Sequence, residues 1–329
     1  MDILADFSLE ATVWLQDNYP QLEPVLKAFS AAGKFEFYLV VITLIYWSLE
    51  KKLGRPLIYV LVFSYAINTM LKHFFADVRP YWKNPGIGLD DEKSYGIPSG
   101  HTQGSTVFYG MIAIWAGRAW VWLVAIFLLL IMSLTRLYLG VHDLEDIVSG
   151  ILIGVIILTA YYFWQKYLAT KFANRILGQR LLIAILIPLI LAAVYAIVLF
   201  LLGQPDSQVP WADRLDIAEN KSFRDFATAF GLMAGLGIGF ILEVSRVRFK
   251  VEGPFWKRIF RYLVGLGATL LIWMGIGSFI PDTPLGLTIP LRILLGFVGG
   301  LWVAYYAPWL FVRLRLANAH PEPEVTLTL

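Results

Sequence analysis

The 329-residue chain contains no cysteine, which excludes thiol nucleophiles, Cys-ligated metals and disulfide staples. Charge is also scarce: 16% of residues are Asp, Glu, Lys or Arg, against roughly 25% in soluble domains. The 27 basic and 24 acidic residues leave a formal charge of +3, without the basic stripe that a nucleic-acid surface requires, so nucleic acid is not an expected partner. The N-terminus lacks both a positive n-region and a clean apolar h-region. It therefore reads as an interfacial segment, residues 1–32, and not as a cleavable signal peptide.

Apolar residues are abundant instead, with 58% of the chain hydrophobic and 15% aromatic. A soluble core of this size cannot hide so much apolar surface. Nine segments, approximately 33–49, 56–71, 101–117, 119–136, 147–168, 181–202, 226–243, 262–281 and 288–311, reach or approach the roughly 20 residues that cross a bilayer as a helix. The expected fold is all-α: a polytopic membrane protein of about nine transmembrane helices. A six-span core over 33–202, three additional spans over 203–316 and a flexible cytoplasmic tail over 317–329 are the expected divisions.

Alternating the spans puts two polar breaks on one side of the membrane, the loop from Lys72 to Gly100 and the HDLED break from His142 to Asp146. That side collects most of the acids, whereas LEKKLGR, KFANRILGQR and SRVRFKVEGPFWKRIFR lie on the other. Basic loops mark the cytoplasmic side. The polar breaks and the N-terminus are therefore expected outside the cytoplasm, the C-terminus inside it, and the setting to be a bacterial inner membrane.

Three clusters on the acidic side carry chemistry: Lys72 with Arg79-Pro80; Pro98-Ser99-Gly100-His101; and Arg136 with His142 and Asp146. Three cations on the side that the positive-inside bias disfavours suggest a bound anion. Pro98-Ser99-Gly100-His101 reads as a helix start, whose N–H groups and dipole suit a phosphate-like anion. His142 and Asp146 are four apart, so on a helix the carboxylate can accept from one imidazole nitrogen and leave the other available as base or nucleophile. His101, His142 and Asp146 could also be read as metal ligands. Lys72, Arg79 and Arg136 in the same pocket would repel a divalent cation, so no metal is expected. A transporter reading is opposed by the clustering of the cations at one end of the spans and away from the midplane.

The clusters resemble the signature of the type 2 phosphatidic acid phosphatase superfamily, K-x6-RP, PSGH and SR-x5-H-x3-D, here Lys72-HFFADV-Arg79-Pro80, Pro98-Ser99-Gly100-His101 and Thr135-Arg136-LYLGV-His142-DLE-Asp146. Thr135 stands where the family has serine. A weaker likeness over more of the chain, in LKHFFADVRPYW and WLQDNYP, is to glucose-6-phosphatase, a member of the superfamily. The resemblance implies an enzyme without cofactor, a phosphatase in which His142 forms a phosphohistidine, Asp146 fixes its tautomer and His101 is the general acid and base. Lys72, Arg79, Arg136 and the N–H groups of Ser99 and Gly100 would hold the phosphate. The expected substrate is a membrane lipid phosphate: phosphatidate, sphingoid-base phosphate, phosphatidylglycerol phosphate or polyprenyl phosphate. The alternative is a soluble sugar phosphate. The bilayer and the lipid phosphate are the expected partners, and no obligate protein partner is inferred.

The orientation is open to a direct test, because the chain has no native thiol. A single cysteine at Ser207 is expected to react with an impermeant thiol reagent in intact cells and one at Gly178 is not; the opposite pattern would invert the topology.

Overall fold

The computed structural model describes residues 3–202 and 208–321. Ser207, the proposed boundary at residue 203 and residues 322–329 of the expected tail lie outside the described residues. The helices are α1 Ile3–Asn18, α2 Glu23–Ala31, α3 Phe35–Leu44, α4 Lys51–Phe75, α5 Pro80–Lys83, α6 Gly100–Ala116 and α7 Ala119–Tyr138. They continue as α8 Leu144–Phe163, α9 Ala169–Ala173, α10 Leu177–Leu202, α11 Ala212–Leu242, α12 Phe255–Leu270, α13 Leu285–Leu301 and α14 Ala307–Arg313. Among the described residues there is no β-strand, only an isolated bridge between Phe249 and Ala319.

Each of the nine expected apolar segments falls on helix. Among the described residues, seven helices are long and apolar enough to cross a membrane, and the bent pair Pro20–Ala31 and Phe35–Leu49 makes an eighth if taken as one span. Helix α6 has 17 residues, at the short end of the range for a spanning helix. Large apolar side chains such as Leu123, Phe127 and Leu130 on α7 and Ile190 and Ile197 on α10 lie exposed on the outside of the helices. That inversion of the soluble pattern is what lipid contact requires, and the chain is an integral membrane protein.

The chain forms two compact units. The first comprises Met1–Tyr38, Ser64–Thr159 and Ile197–Phe223, and it contains all three motifs. Within it the start of α6 and the start of α8 approach closely through glycine. A Cβ on Gly150 would meet the Thr102 hydroxyl oxygen at 2.3 Å and the Ser99 carbonyl oxygen at 2.6 Å. Gly154 likewise admits Thr106, and Gly110 admits Leu158. Helix α6 begins at Ser99, whose hydroxyl accepts from the Thr102 N–H at 3.5 Å, and ends at Gly117 in the left-handed conformation, which supplies the usual start and stop signals. The N-terminal helices belong to this unit. The Thr12 hydroxyl donates to the Leu137 carbonyl at 3.0 Å, and the Gln16 amide donates to the carbonyls of Ile87 and Tyr138 at 3.0 and 2.7 Å. Leu26, Tyr81, Trp82, Tyr138, Leu139 and Val141 form part of a buried apolar core in this unit.

The second unit comprises Leu39–Phe63, Ala160–Ala196 and Arg224–Leu329. Helices α11 and α13 meet backbone to backbone. A Cβ on Gly231 would lie 2.1 Å from the Ile293 carbonyl, one on Gly235 2.2 Å from that of Phe297, and one on Gly296 2.3 Å from that of Thr228. Small residues at four-residue spacing are the usual means of close helix approach in lipid. At one end of the unit Glu243 is fully buried and takes Lys51 Nζ at 2.8 Å and an Arg55 guanidinium N–H at 3.1 Å. It also accepts the Phe249 N–H at 3.1 Å.

Two substitutions test this packing. Gly150→Ala should destabilise the detergent-solubilised protein by about 1–3 kcal/mol, as overpacking does, read as a lowered Tm. Glu243→Ala should lower it by more, about 3–5 kcal/mol, because two buried cations lose their carboxylate. A wild-type Tm in either variant would contradict the packing described.

Candidate active site

His142 follows α7 by a tight turn that only glycine permits. Gly140 has φ +67°, and a Cβ there would lie 2.2 Å from the Ile87 carbonyl oxygen. Asp146 stands in the first turn of α8, one helical turn on from the imidazole. His142 Nδ1 lies 2.7 Å from Asp146 Oδ2, and both side chains are 1% exposed. The other nitrogen, Nε2, is 3.1 Å from a guanidinium nitrogen of Arg79. An arginine can only donate, so Nε2 is the acceptor in that contact, its lone pair is exposed to Arg79, and the ring proton sits on Nδ1, donated to Asp146. Burial, and then Arg79, Lys72, Arg136 and His101, push His142 well below its ordinary pKa. It is held neutral.

Arg79 is fixed by its surroundings. Besides His142 it donates to the Val141 carbonyl at 2.8 Å, to the Ser94 hydroxyl at 2.9 Å and to the Ser94 carbonyl. Lys72, in the last turn of α4, donates to the carbonyls of Tyr95 and Gly96. Arg136, in the last turn of α7, is wholly buried. It donates to the Ser30 hydroxyl and to a Glu92 carboxylate oxygen, each at 2.6 Å. All three cations are thus met by oxygen acceptors, as buried charges must be.

Ser99 is fully buried. Its N–H donates to the Asp146 carbonyl at 2.8 Å, which ties the start of α6 to the start of α8. That N–H is therefore engaged by the protein itself. Gly100 stands close to Asn68, whose amide donates to the Pro98 carbonyl at 3.1 Å and to the Gln103 side chain at 2.8 Å. His101 packs its ring against Gly33, where a Cβ would lie 2.3 Å from the imidazole. Its Nδ1 is 3.9 Å from Glu92, and its Nε2 is buried with no hydrogen-bond partner among the described residues. Thr135 turns its hydroxyl back to the Met132 carbonyl at 2.7 Å, so this replacement for the family serine serves its own helix.

All eight residues singled out in the sequence, Lys72, Arg79, Ser99, Gly100, His101, Arg136, His142 and Asp146, lie in the first unit, at its three motif clusters. Three neighbours were not anticipated: Ser30, Gly33 and Glu92. Burial alone would raise the Glu92 carboxyl, but Arg136, Arg79, His101 and Lys72 outweigh it and hold the group well below the carboxylate range. The available signal was the mismatch between three apparently uncompensated cations and the acidic run Asp90-Asp91-Glu92.

Two family models match the chain: PAP2 superfamily over residues 53–170, and PAP2 superfamily phosphatase, transmembrane extension, over residues 227–319. Among curated proteins, it is 26% identical over 196 residues to the glucose-6-phosphatase catalytic subunit 1 of Canis lupus familiaris, covering 50% of this chain and 55% of that protein. It is 26% identical over 281 residues to a dihydrosphingosine 1-phosphate phosphatase of Saccharomyces cerevisiae, covering 79% of this chain and 63% of that one. A 143-residue stretch is 27% identical to sphingosine-1-phosphate phosphatase 2 of Mus musculus, 41% of this chain and 40% of the relative. The chain thus matches less than two thirds of the length of each of these relatives, and no solved structure matches it significantly. The chain thus carries a PAP2 superfamily domain, which contains the three motifs, and a PAP2 transmembrane extension.

Proposed function

We propose that this chain is a phosphomonoesterase that removes a terminal phosphate from a membrane lipid phosphate through a phosphohistidine intermediate. The observation that carries the proposal is the environment of His142: Nδ1 on Asp146, Nε2 facing an arginine that can only donate. This is a neutral imidazole held in one tautomer, with the nucleophilic lone pair beside an anion-binding group.

In the proposed reaction, His142 Nε2 bonds to phosphorus in line while the bond to the leaving alcohol breaks and its electron pair goes to oxygen. His101 protonates that oxygen. Asp146 stabilises the positive charge developing on His142, and Lys72, Arg79 and Arg136 stabilise the negative charge of the phosphoryl oxygens. His101 then takes a proton from water, whose oxygen displaces His142 and releases orthophosphate. Gly100, at the close backbone approach beside Asn68, is assigned to the phosphate cradle, with Ser99 holding the turn through Asp146. No step requires a metal.

A lipid substrate is supported by the relative that covers 79% of this chain, a phosphatase of a phosphorylated sphingoid base, and by lipid-exposed helices that bring an amphiphile's headgroup to the depth of the span ends. Phosphatidate and other lipid monoesters remain in the candidate class. The second reading, a soluble sugar phosphate, is supported by the similarity to glucose-6-phosphatase. The charge asymmetry of the loops favours a site outside the cytoplasm.

Phosphate release by the detergent-purified protein in EDTA, across sphingoid-base phosphate, phosphatidate and glucose 6-phosphate, decides among these. Release is expected from lipids, and His142→Ala should lower kcat by roughly 10³-fold or more. Release from glucose 6-phosphate alone would select the sugar reading. Activity that EDTA abolishes and magnesium restores would overturn the metal-independent mechanism.

A further inference from the structure

Glu92 is a carboxylate of the site that the proposed reaction leaves without a task. It lies on the segment between α5 and α6, and its oxygen is 2.6 Å from Arg136 and 3.9 Å from His101 Nδ1. Arg136, Arg79, His101 and Lys72 all act on it electrostatically. These four groups are the ones assigned to the phosphoryl group and its leaving oxygen, so the carboxylate sits where an anion is to be bound.

Its main chain is anchored. The Tyr81 hydroxyl donates to the Glu92 carbonyl at 2.9 Å and accepts the Glu92 N–H at 2.9 Å. Asp91 next to it pairs with Arg214 at 3.1 Å. The Glu92 side chain is nonetheless 22% exposed, unlike that of Arg136, which is 0% exposed. A fixed backbone with a partly exposed carboxylate can turn by a rotamer without moving the loop. The distance to His101 Nδ1 exceeds hydrogen-bond length by only about 1 Å.

A phosphoryl dianion and a carboxylate cannot both hold the same guanidinium nitrogen without strong like-charge repulsion. Resting on the phosphatase reading, we propose that Glu92 has two stations: on Arg136 until a phosphoryl group takes that guanidinium, then on His101 Nδ1–H, where it makes His101 an effective acid. Phosphate binding and the arming of the acid become one event. In the first half-reaction Glu92 stabilises protonated His101, which gives its Nε2 proton to the departing alkoxide as the P–O bond breaks. In the second, Glu92 keeps the remaining proton on Nδ1 while Nε2 takes a proton from the attacking water. Release of orthophosphate returns Glu92 to Arg136. Glu92 is a positioning residue that acts through His101, and it competes with phosphate in the process.

The test uses Glu92→Gln in the full-length, detergent-purified protein. Inorganic phosphate, measured by calorimetry, should bind about tenfold tighter than to wild type, because a neutral amide competes less for Arg136. In single-turnover experiments, which read only the first half-reaction, cleavage of an alkyl lipid phosphate, whose leaving oxygen must be protonated, should slow at least tenfold; cleavage of p-nitrophenyl phosphate should slow markedly less, since nitrophenolate departs unaided. In a His101→Ala background this effect should vanish, as for residues acting in one chain of cause. Unchanged or weaker phosphate binding, equal losses on both esters, or additive losses with His101→Ala would each overturn the proposal. Glu92→Asp, which keeps the charge and shortens the reach, provides the same two-ester comparison if Glu92→Gln does not fold. Should wild-type protein hydrolyse no ester, the phosphatase reading falls, and the phosphate-binding comparison still decides whether Glu92 competes for Arg136.

Discussion

Three cations buried in one small region of an apolar helical unit are the constraint on which the site depends. Lys72, Arg79 and Arg136 are at most 6% exposed, and a buried charge without partners is severely penalised. The unit answers with main chain. The carbonyls of Ser94, Tyr95, Gly96 and Val141 all face these cations, so the path of the connection between α5 and α6 is dictated by where Lys72 and Arg79 need acceptors. The segment looks like a polar loop in sequence and behaves as an inner shell of the site. Its middle is then pinned by Tyr81 on Glu92 and its far end by Ser99 on Asp146.

The same constraint explains the asymmetry of the two histidines. His142 is bracketed by a carboxylate and a guanidinium that leave it a single tautomer. His101 has a glycine face, a distant carboxylate and a buried nitrogen without a partner among the described residues. In the proposed reaction the asymmetry has a use: the nucleophile is fixed before its substrate arrives, whereas the group that both gives and takes a proton sits in an environment that can change.

Helix positions were legible because apolar runs in lipid carry a strong length signal, and the eight motif residues were legible because they stand at the spacings of a family signature. What escaped the sequence lacks such periodicity. Glu92 sits in DDEK, within the polar loop, and only its placement beside Arg136 sets it apart. Ser30 and Gly33 precede the first motif by some forty residues or more, and their approach to Arg136 and His101 is a tertiary fact. Lys51 and Arg55 read as cytoplasmic loop charge, yet they close on Glu243. The glycines of α11 and α13 stand four apart, a spacing that gains a meaning only once the two helices are paired.

Helix α10 has a different relation to its surroundings. It runs for 26 residues, about 39 Å at the α-helical rise, against a hydrocarbon thickness of about 30 Å. Its apolar stretch is the most hydrophobic of the candidate spans among the described residues, and little of it is buried against protein. The protein therefore does little to set its angle, and the mismatch must be absorbed by tilt, by bending near Pro188 or by local thickening of the bilayer. Membrane thickness thus becomes a structural variable for this chain, felt first at a helix that holds none of the motif residues.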